Sequence, residues 1–309
     1  MTDVRVLRIG TRGSPLAQAQ TAMVRGALEQ AHAELAEPGA LEVVVIRTTG
    51  DRVVDRPLAE VGGKGMFCKE IETALLERRI DVAVHSMKDL PTWLPEGLAI
   101  GAMLERADPR DVLLARDAVR SVADLPHGAV VGSASLRRQA QLLASRPDLE
   151  VINFRGNVRT RLDKLAAGEV DATLLALAGI ERLGLEVEHL VLSPEEMLPA
   201  VGQGAIGVEC RADDGATLDL LAAIGHAATS ICVHAERALL DALDGSCHTP
   251  IAGYAELVGQ DIRLRALIAR PDGSQCLTTE RTGASEDGVN LGRDAGQELR
   301  RRGGPGFFE

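Results

Sequence analysis

The chain is 309 residues long, 45% hydrophobic and only 2% aromatic, with a formal net charge of −11. That length holds two or three domains of ordinary size, and the hydrophobic fraction is that of a globular protein rather than a disordered one. The acidic balance and the scarcity of aromatic rings exclude a general nucleic-acid binder, so any anionic ligand must be met by local clusters of Arg and Lys.

In chain order, residues 4–9 alternate as a strand and run into the turn Gly10-Thr-Arg-Gly-Ser-Pro15. Residues 16–35 carry Leu16, Met23, Ala27, Leu28, Ala31 and Leu35 at largely helical spacing. Residues 41–46 read as a second strand. Phe67, Ile71, Ala74 and Leu75 then mark an amphipathic helix. The run Val82-Ala83-Val84 has the length and β-branching of a buried strand, and Pro91 stops it. Lys88 and Asp89 therefore fall at or just past its carboxyl end, where open α/β sheets hold their ligands.

A weak repeat follows. Residues 9–20 resemble 131–141, residues 42–47 resemble 150–155, and residues 80–84 resemble 170–174, all in the same order. The shared order predicts two related α/β domains facing each other across a cleft. Beyond them, residues 218–224 and 231–243 read as helices, and 251–257, 262–268 and 275–279 as antiparallel strands, with Pro271-Asp-Gly273 as a turn. This predicts a small α+β domain. The tail Gly303-Gly-Pro-Gly306 reads as flexible, with Phe307 and Phe308 either docked or frayed.

The five cysteines show neither CxxC nor zinc-like spacing with histidine, so disulfides and structural metal are not expected. Without a signal-peptide pattern or a spanning apolar stretch, a reduced, cytoplasmic protein is expected, with monomer as the default state.

Basic residues cluster at the predicted strand ends. Arg12 and Ser14 lie in the first strand-to-helix turn, and Ser135, Arg137 and Arg138 in its counterpart in the second lobe. Arg155 and Arg161 follow the next strand, Arg182 follows the strand-like run 172–177, and Lys64 sits in Gly62-Gly-Lys-Gly65. Helix starts and guanidinium forks both suit anions. A solvated helix face is the commoner explanation for any single arginine, but the set, in an acidic protein, points to a carboxylate-rich ligand. Neither a dinucleotide fingerprint, a phosphate loop nor a serine-hydrolase elbow is present. His85 is the nearest candidate base, although a histidine at a strand end is more often structural. Asp89, one carboxylate among cations, suits stabilising a developing positive charge or exchanging a proton with a leaving amine. Cys247, in the loop Asp244-Gly-Ser-Cys-His-Thr-Pro250, is a candidate nucleophile or covalent tether. Cys68, Cys210 and Cys232 fall in helix or strand patterns and read as core.

Taken together, Gly-Thr-Arg-Gly-Ser-Pro-Leu-Ala, Gly-Gly-Lys-Gly-Met-Phe, His-Ser-Met-Lys-Asp-Leu-Pro, Ser-Leu-Arg-Arg-Gln, Arg-Gly-Asn-Val-Arg-Thr-Arg-Leu, Leu-Ala-Gly-Ile-Glu-Arg-Leu-Gly, Gly-Gln-Gly-Ala-Ile-Gly-Val-Glu and Gly-Ser-Cys-His-Thr-Pro-Ile resemble the porphobilinogen deaminase (hydroxymethylbilane synthase) family, in the family's order and over nearly the whole chain. The resemblance implies an α/β fold of two lobes like type II periplasmic binding proteins plus a small C-terminal α+β domain. Its boundaries would be 1–103 with 202–222, then 104–201, then 223–309. It implies head-to-tail condensation of four porphobilinogen molecules into hydroxymethylbilane with loss of ammonia, primed by a dipyrromethane cofactor held through a thioether. By motif position Cys247 is that tether and Asp89 the catalytic carboxylate. Arg12, Ser14, Lys64, Lys88, Ser135, Arg137, Arg138, Arg155, Arg161 and Arg182 match positions that hold cofactor or substrate carboxylates. Three departures stand out: Ala134 where a second serine is frequent, Ser246 where glycine is common, and Arg159 at a position that varies. A two-lobed binding protein for small anions would explain the lobes and arginines, but neither Cys247 in its loop nor a third domain.

Overall fold

The computed structural model describes residues 6–52, 65–245 and 249–308, which divide into two compact units. The first comprises the described residues 6–52, 65–107 and 205–230. Its five-stranded sheet has the order β2-β1-β3-β10-β4. Strand β1 (Leu7–Arg12) runs parallel to β2 (Leu41–Ile46) and β3 (Val82–Ser86). Strand β10 (Ile206–Arg211) brings the chain back between β3 and β4 (Leu98–Met103), antiparallel to both. Its six residues are all buried, as a strand covered on both faces requires.

β1 extends three residues beyond the expected end at Ile9, reaching Arg12 paired with Ile46. Gly10 is a strand residue rather than the start of the turn, because a Cβ there would lie 2.3 Å from Cδ1 of Ile80. The turn that follows is short. Ser14 caps helix α1 (Pro15–Ala31), accepting from Ala17 N–H at 3.3 Å, with proline in the first turn, where its missing N–H costs nothing. The expected helix over 16–35 instead breaks at His32, which adopts an extended conformation before the short 3-10 turn Ala33–Leu35. A one-turn helix α2 (Thr49–Arg52) and helix α3 (Lys69–Leu76) complete this side of the sheet sequence. β3 ends in a 3-10 turn, Met87–Asp89, before Leu90 and Pro91.

The second unit comprises residues 108–204 and 231–308, leaving aside 246–248. One of its sheets has the order β7-β6-β8-β5-β9, built from β5 (Asp111–Ala115), β6 (Val130–Gly132), β7 (Glu150–Ile152), β8 (Ala172–Ala176) and β9 (Leu190–Val191). Helices α4 (Leu136–Ser145), α5 (Val158–Ala166) and α6 (Leu177–Arg182) follow β6, β7 and β8. In both five-stranded sheets three parallel strands adjoin an antiparallel fourth. The three short repeats in the sequence fall on β1 and β6, on β2 and β7, and on β3 and β8. The fold is thus of the α/β class expected from the sequence, with a small C-terminal α+β part.

That part is a meander, β11 (Ile251–Val258), β12 (Asp261–Ala269) and β13 (Cys276–Ala284), with α8 (Ala227–Ala242) and α9 (Gly288–Gly303). Helix α7 (Gly215–Ala222) precedes α8. β13 is longer than the predicted 275–279 because it pairs with β12 along its whole length, from Cys276↔Ala269 to Ala284↔Asp261. α9 has no counterpart in the sequence reading. Its glycines weaken helix propensity, yet Gly292 lies where a Cβ would come within 2.1 Å of the Ala235 carbonyl oxygen, so they are the cost of close helix packing. Phe307 is buried in the core of this part and meets Phe308 edge-on at 5.4 Å, so the tail docks. Cys68, Cys210 and Cys232 are buried, as core residues should be. No single helix among the described residues is long and apolar enough to cross a membrane.

Candidate functional site

The first unit brings the ends of β1 and β3 together. Arg12, Ser14, Phe67, His85, Ser86 and Asp89 line one concavity. Strand geometry accounts for this: β1 delivers Arg12 at its last residue, and β3 delivers His85 and Ser86 before the Met87–Asp89 turn swings Asp89 in beside them. The Arg12 guanidinium lies over the Phe67 ring, 4.2 Å from its centroid, a cation–π contact that orients the fork. Ser14 spends its oxygen on the α1 cap. Ser86 is held by Gln20, whose Nε2–H donates to its hydroxyl at 2.7 Å. Lys88 is half-buried in the same turn as Asp89. Lys64 lies outside the described residues, as do Cys247 and Ser246.

Beneath this concavity lies a buried acidic group. His85 Nε2 and Glu209 Oε2 are 2.9 Å apart. Burial pushes the Glu72 carboxyl above its ordinary range, and the nearby Glu209 charge acts the same way, against the pull of Cys68 and His85. Burial likewise pushes the Cys68 thiol far up, with its hydrogen bond to Glu72 adding to the effect, so Cys68 stays protonated and unreactive.

In the second unit, Ser135 caps α4 by accepting from Arg138 N–H at 3.4 Å. Arg137 and Arg138 follow in its first turn but do not face solvent: they are 4% and 6% exposed. Both pair with Asp111 at 2.7 Å, and Gln203 Nε2–H donates to the same carboxylate at 2.9 Å. Burial alone would raise the Asp111 pKa, but the two guanidinium groups hold it well below the usual carboxylate range. Arg137 Nη1–H also donates to the Leu198 carbonyl at 2.7 Å and Arg138 Nη1–H to that of Leu174 at 2.9 Å, while the buried Nε of Arg137 has no hydrogen-bond partner among the described residues.

Arg155, Arg161 and Arg182 are half-buried. Burial, together with repulsion from Arg138 and Arg155, lowers Arg161 to about 10. Arg182 is also lowered by burial; Nη2–H donates to the Gly204 carbonyl at 2.6 Å, while its buried Nε has no hydrogen-bond partner among the described residues. No carboxylate among the described residues forms an ion pair with Arg161 or Arg182. Arg159 is exposed.

The family model for the dipyromethane cofactor binding domain of porphobilinogen deaminase matches residues 7–219, and that for its C-terminal domain matches residues 230–301. The chain belongs to the porphobilinogen deaminase family. It is 56% identical over 304 residues to porphobilinogen deaminase of Paracoccus denitrificans, covering 98% of this chain and 96% of that one. It is 54% identical over 310 residues to the chloroplastic porphobilinogen deaminase of rice, covering 99% and 86%. Among solved structures it is similar to the periplasmic aliphatic sulphonate binding protein SsuA from Escherichia coli, at 17% identity and a TM-score of 0.42, covering 77% and 70%. That likeness is too remote to bear on ligands. Porphobilinogen deaminases are hydroxymethylbilane synthases, transferases of tetrapyrrole biosynthesis, and residues 7–219 are the family's dipyrromethane-binding domain.

The donor set fits that group. A pyrrole chain bearing acetate and propionate arms needs cations not already neutralised, and the half-buried Arg161 and Arg182, without a carboxylate partner among the described residues, fit that need. Residue types alone did not single out Phe67, Asp111, Gln203 or Glu209. Gln203 and Glu209 lie in the Gly-Gln-Gly-Ala-Ile-Gly-Val-Glu motif, so the resemblance marked their segment without giving their partners. Asp111, a carboxylate in a buried strand, is the kind of residue that implies a cation partner.

Proposed function

We propose that this chain joins four porphobilinogen molecules head to tail into hydroxymethylbilane, with Asp89 as the carboxylate that attends the departing amine and Cys247 as the thioether attachment point. The observation that carries this reading is the convergence of Asp89 with Arg12 and Ser14 on one concavity of the cofactor-binding domain. When bound, dipyrromethane supplies the free pyrrole position from which the chain grows. Asp89 opposes the positive charge left on the substrate as ammonia leaves, and it sits where it can pass a proton to the amine. Arg12, with its fork oriented by Phe67, Ser14, Lys64, Lys88, Ser135, Arg155, Arg161 and Arg182 hold acetate and propionate groups. Arg137 and Arg138 share that task with only part of their donors, since Asp111 takes the rest.

The division into residues 1–103 with 202–222, 104–201 and 223–309 is part of the same reading, as are a monomeric state and a reducing, cytoplasmic compartment. Limited proteolysis and light scattering test the first two.

Intact mass of the denatured protein tests the function. A mass above the sequence value by two linked pyrroles, lost in Cys247→Ser, is expected, and Asp89→Asn should keep the added mass while losing most turnover. An unmodified protein that porphobilinogen does not load would overturn the reading in favour of an anion-binding protein.

A further inference from the structure

Each condensation moves protons at two places, the departing amine and the α-carbon of the acceptor pyrrole, and Asp89 is a single group. A second titratable side chain lines the same concavity. His85 is 7% exposed, and Glu209, fully buried on β10, lies 2.9 Å from its Nε2. The register explains the pairing: Gly207 stands opposite His85 and Glu209 opposite Ala83, so His85 and Glu209 project from the same face of the strand pair. With the Glu209 oxygen accepting in this pair, the hydrogen sits on Nε2 and the Nδ1 lone pair is left to act as a base. No hydrogen bond is made at Nδ1 among the described residues, and His85 has its bond to Glu209 alone. The other oxygen of Glu209 has no hydrogen-bond partner among the described residues. A buried carboxylate half satisfied is destabilising, which an apolar residue in its place would avoid. What Glu209 provides in return is the tautomer and orientation of His85.

The charged and titratable groups around His85 are Glu209 from β10, Glu72 from α3, Cys68 just before that helix, Arg12 from the end of β1, and Asp89 from the turn after β3. We propose that His85, oriented by Glu209, is the second proton carrier of this site: its Nδ1 takes the α-hydrogen of the acceptor pyrrole while Asp89 attends the amine. The C–N bond of the aminomethyl group breaks and the amine leaves with its electron pair. The C–C bond forms from the acceptor α-carbon, whose C–H bond then breaks, returning its electron pair to the ring. The proton passes to Nδ1 and on to the released ammonia, so a substrate ammonium and an acceptor C–H give the lengthened chain and an ammonium ion. This rests on the deaminase reading above.

The test uses the full-length protein and has two readouts. Nitrogen-15 spectra of the imidazoles, with His85 assigned by its loss in His85→Asn, should show hydrogen on Nε2 and none on Nδ1 in the resting protein. Glu209→Gln, whose amide can donate to Nε2, should move the hydrogen to Nδ1. In turnover, His85→Asn should keep the cofactor mass and KM and lower kcat by about 100-fold or more. With porphobilinogen deuterated at its free α-carbon, the variant should also gain a primary isotope effect absent from the wild type. A resting tautomer with hydrogen on Nδ1, or a folded His85→Asn protein with wild-type kcat and no isotope effect, would overturn the proposal. Should His85→Asn fail to fold, Glu209→Gln carries the same kinetic test. A wild-type protein that neither holds the cofactor nor turns over porphobilinogen would overturn the deaminase reading itself, a result distinct from either variant outcome.

Discussion

Replacing Asp111 by Asn isolates the contribution of the buried ion cluster. The carboxylate is fully buried and the guanidinium groups of Arg137 and Arg138 are 4% and 6% exposed, so the substitution leaves two buried cations without their counter-charge while hardly changing volume. Removing one partner of a buried pair costs about 3–5 kcal/mol. Asn keeps one carbonyl oxygen, which can still accept from Arg138 or Gln203. Its amide nitrogen, however, must face a donor, and that places the expected loss at the upper end. Urea unfolding followed by far-UV circular dichroism should show a lowered midpoint. The exposed pair Arg78–Asp213, at 3.4 Å with side chains 64% and 73% exposed, is the internal control: Asp213→Asn should cost under about 1 kcal/mol. The pH dependence has a definite sign. Asp111 titrates lower in the folded state than in the unfolded state, so its contribution is complete above the unfolded value of about 4 and fades as pH falls towards the folded one. The stability gap between wild type and variant should therefore be constant from neutral pH to about 5 and narrow only in stronger acid. Equal costs for Asp111→Asn and Asp213→Asn would refute the reasoning.

Two further substitutions probe other parts of the chain. Arg161→Gln removes a half-buried charge that no carboxylate among the described residues offsets. One charge-assisted hydrogen bond is worth about 1.5–3 kcal/mol, so KM for porphobilinogen should rise by roughly 10- to 100-fold, measured by initial rates, with thermal stability unchanged or raised. Gly292→Ala would gain about 1 kcal/mol of helix propensity anywhere else on α9. Here its Cβ would press on the Ala235 carbonyl oxygen, 2.1 Å away, so differential scanning calorimetry should show a net loss of about 1–3 kcal/mol.

Much of the architecture is legible in the sequence because the sheet strands are short β-branched runs punctuated by glycine, proline and charge. β2, for example, occupies Leu41–Ile46 as expected. What the pattern misses is set by contacts distant in sequence. α9 is rich in arginine and glycine, and only its docking on α8 makes the glycines favourable. Phe307 lies beyond a Gly-Pro-Gly tail, and burial against β12 and α9 residues, not local propensity, fixes it. The candidate arginines were readable as a set. Their division into neutralised and unmet charges was not, because Asp111 lies 26 residues before Arg137 and 27 before Arg138 and belongs to a different element.

That division explains how an acidic protein can hold an acidic ligand. The charge of Arg137 and Arg138 is largely spent on Asp111, and that of Arg211 on Asp81 and Asp214 at 3.0 and 2.8 Å, so these groups stiffen the frame. Arg161, pressed by its arginine neighbours, and Arg182 have no carboxylate ion-pair partner among the described residues, so both retain partly desolvated positive charge. Desolvation has already been met in folding for these two, and a carboxylate arriving there gains a stronger interaction than it would with a solvated surface arginine. A net charge of −11 repels the same ligand from the rest of the surface, so under the proposed reading selectivity rests on local cations such as Arg161 and Arg182 rather than on the overall field.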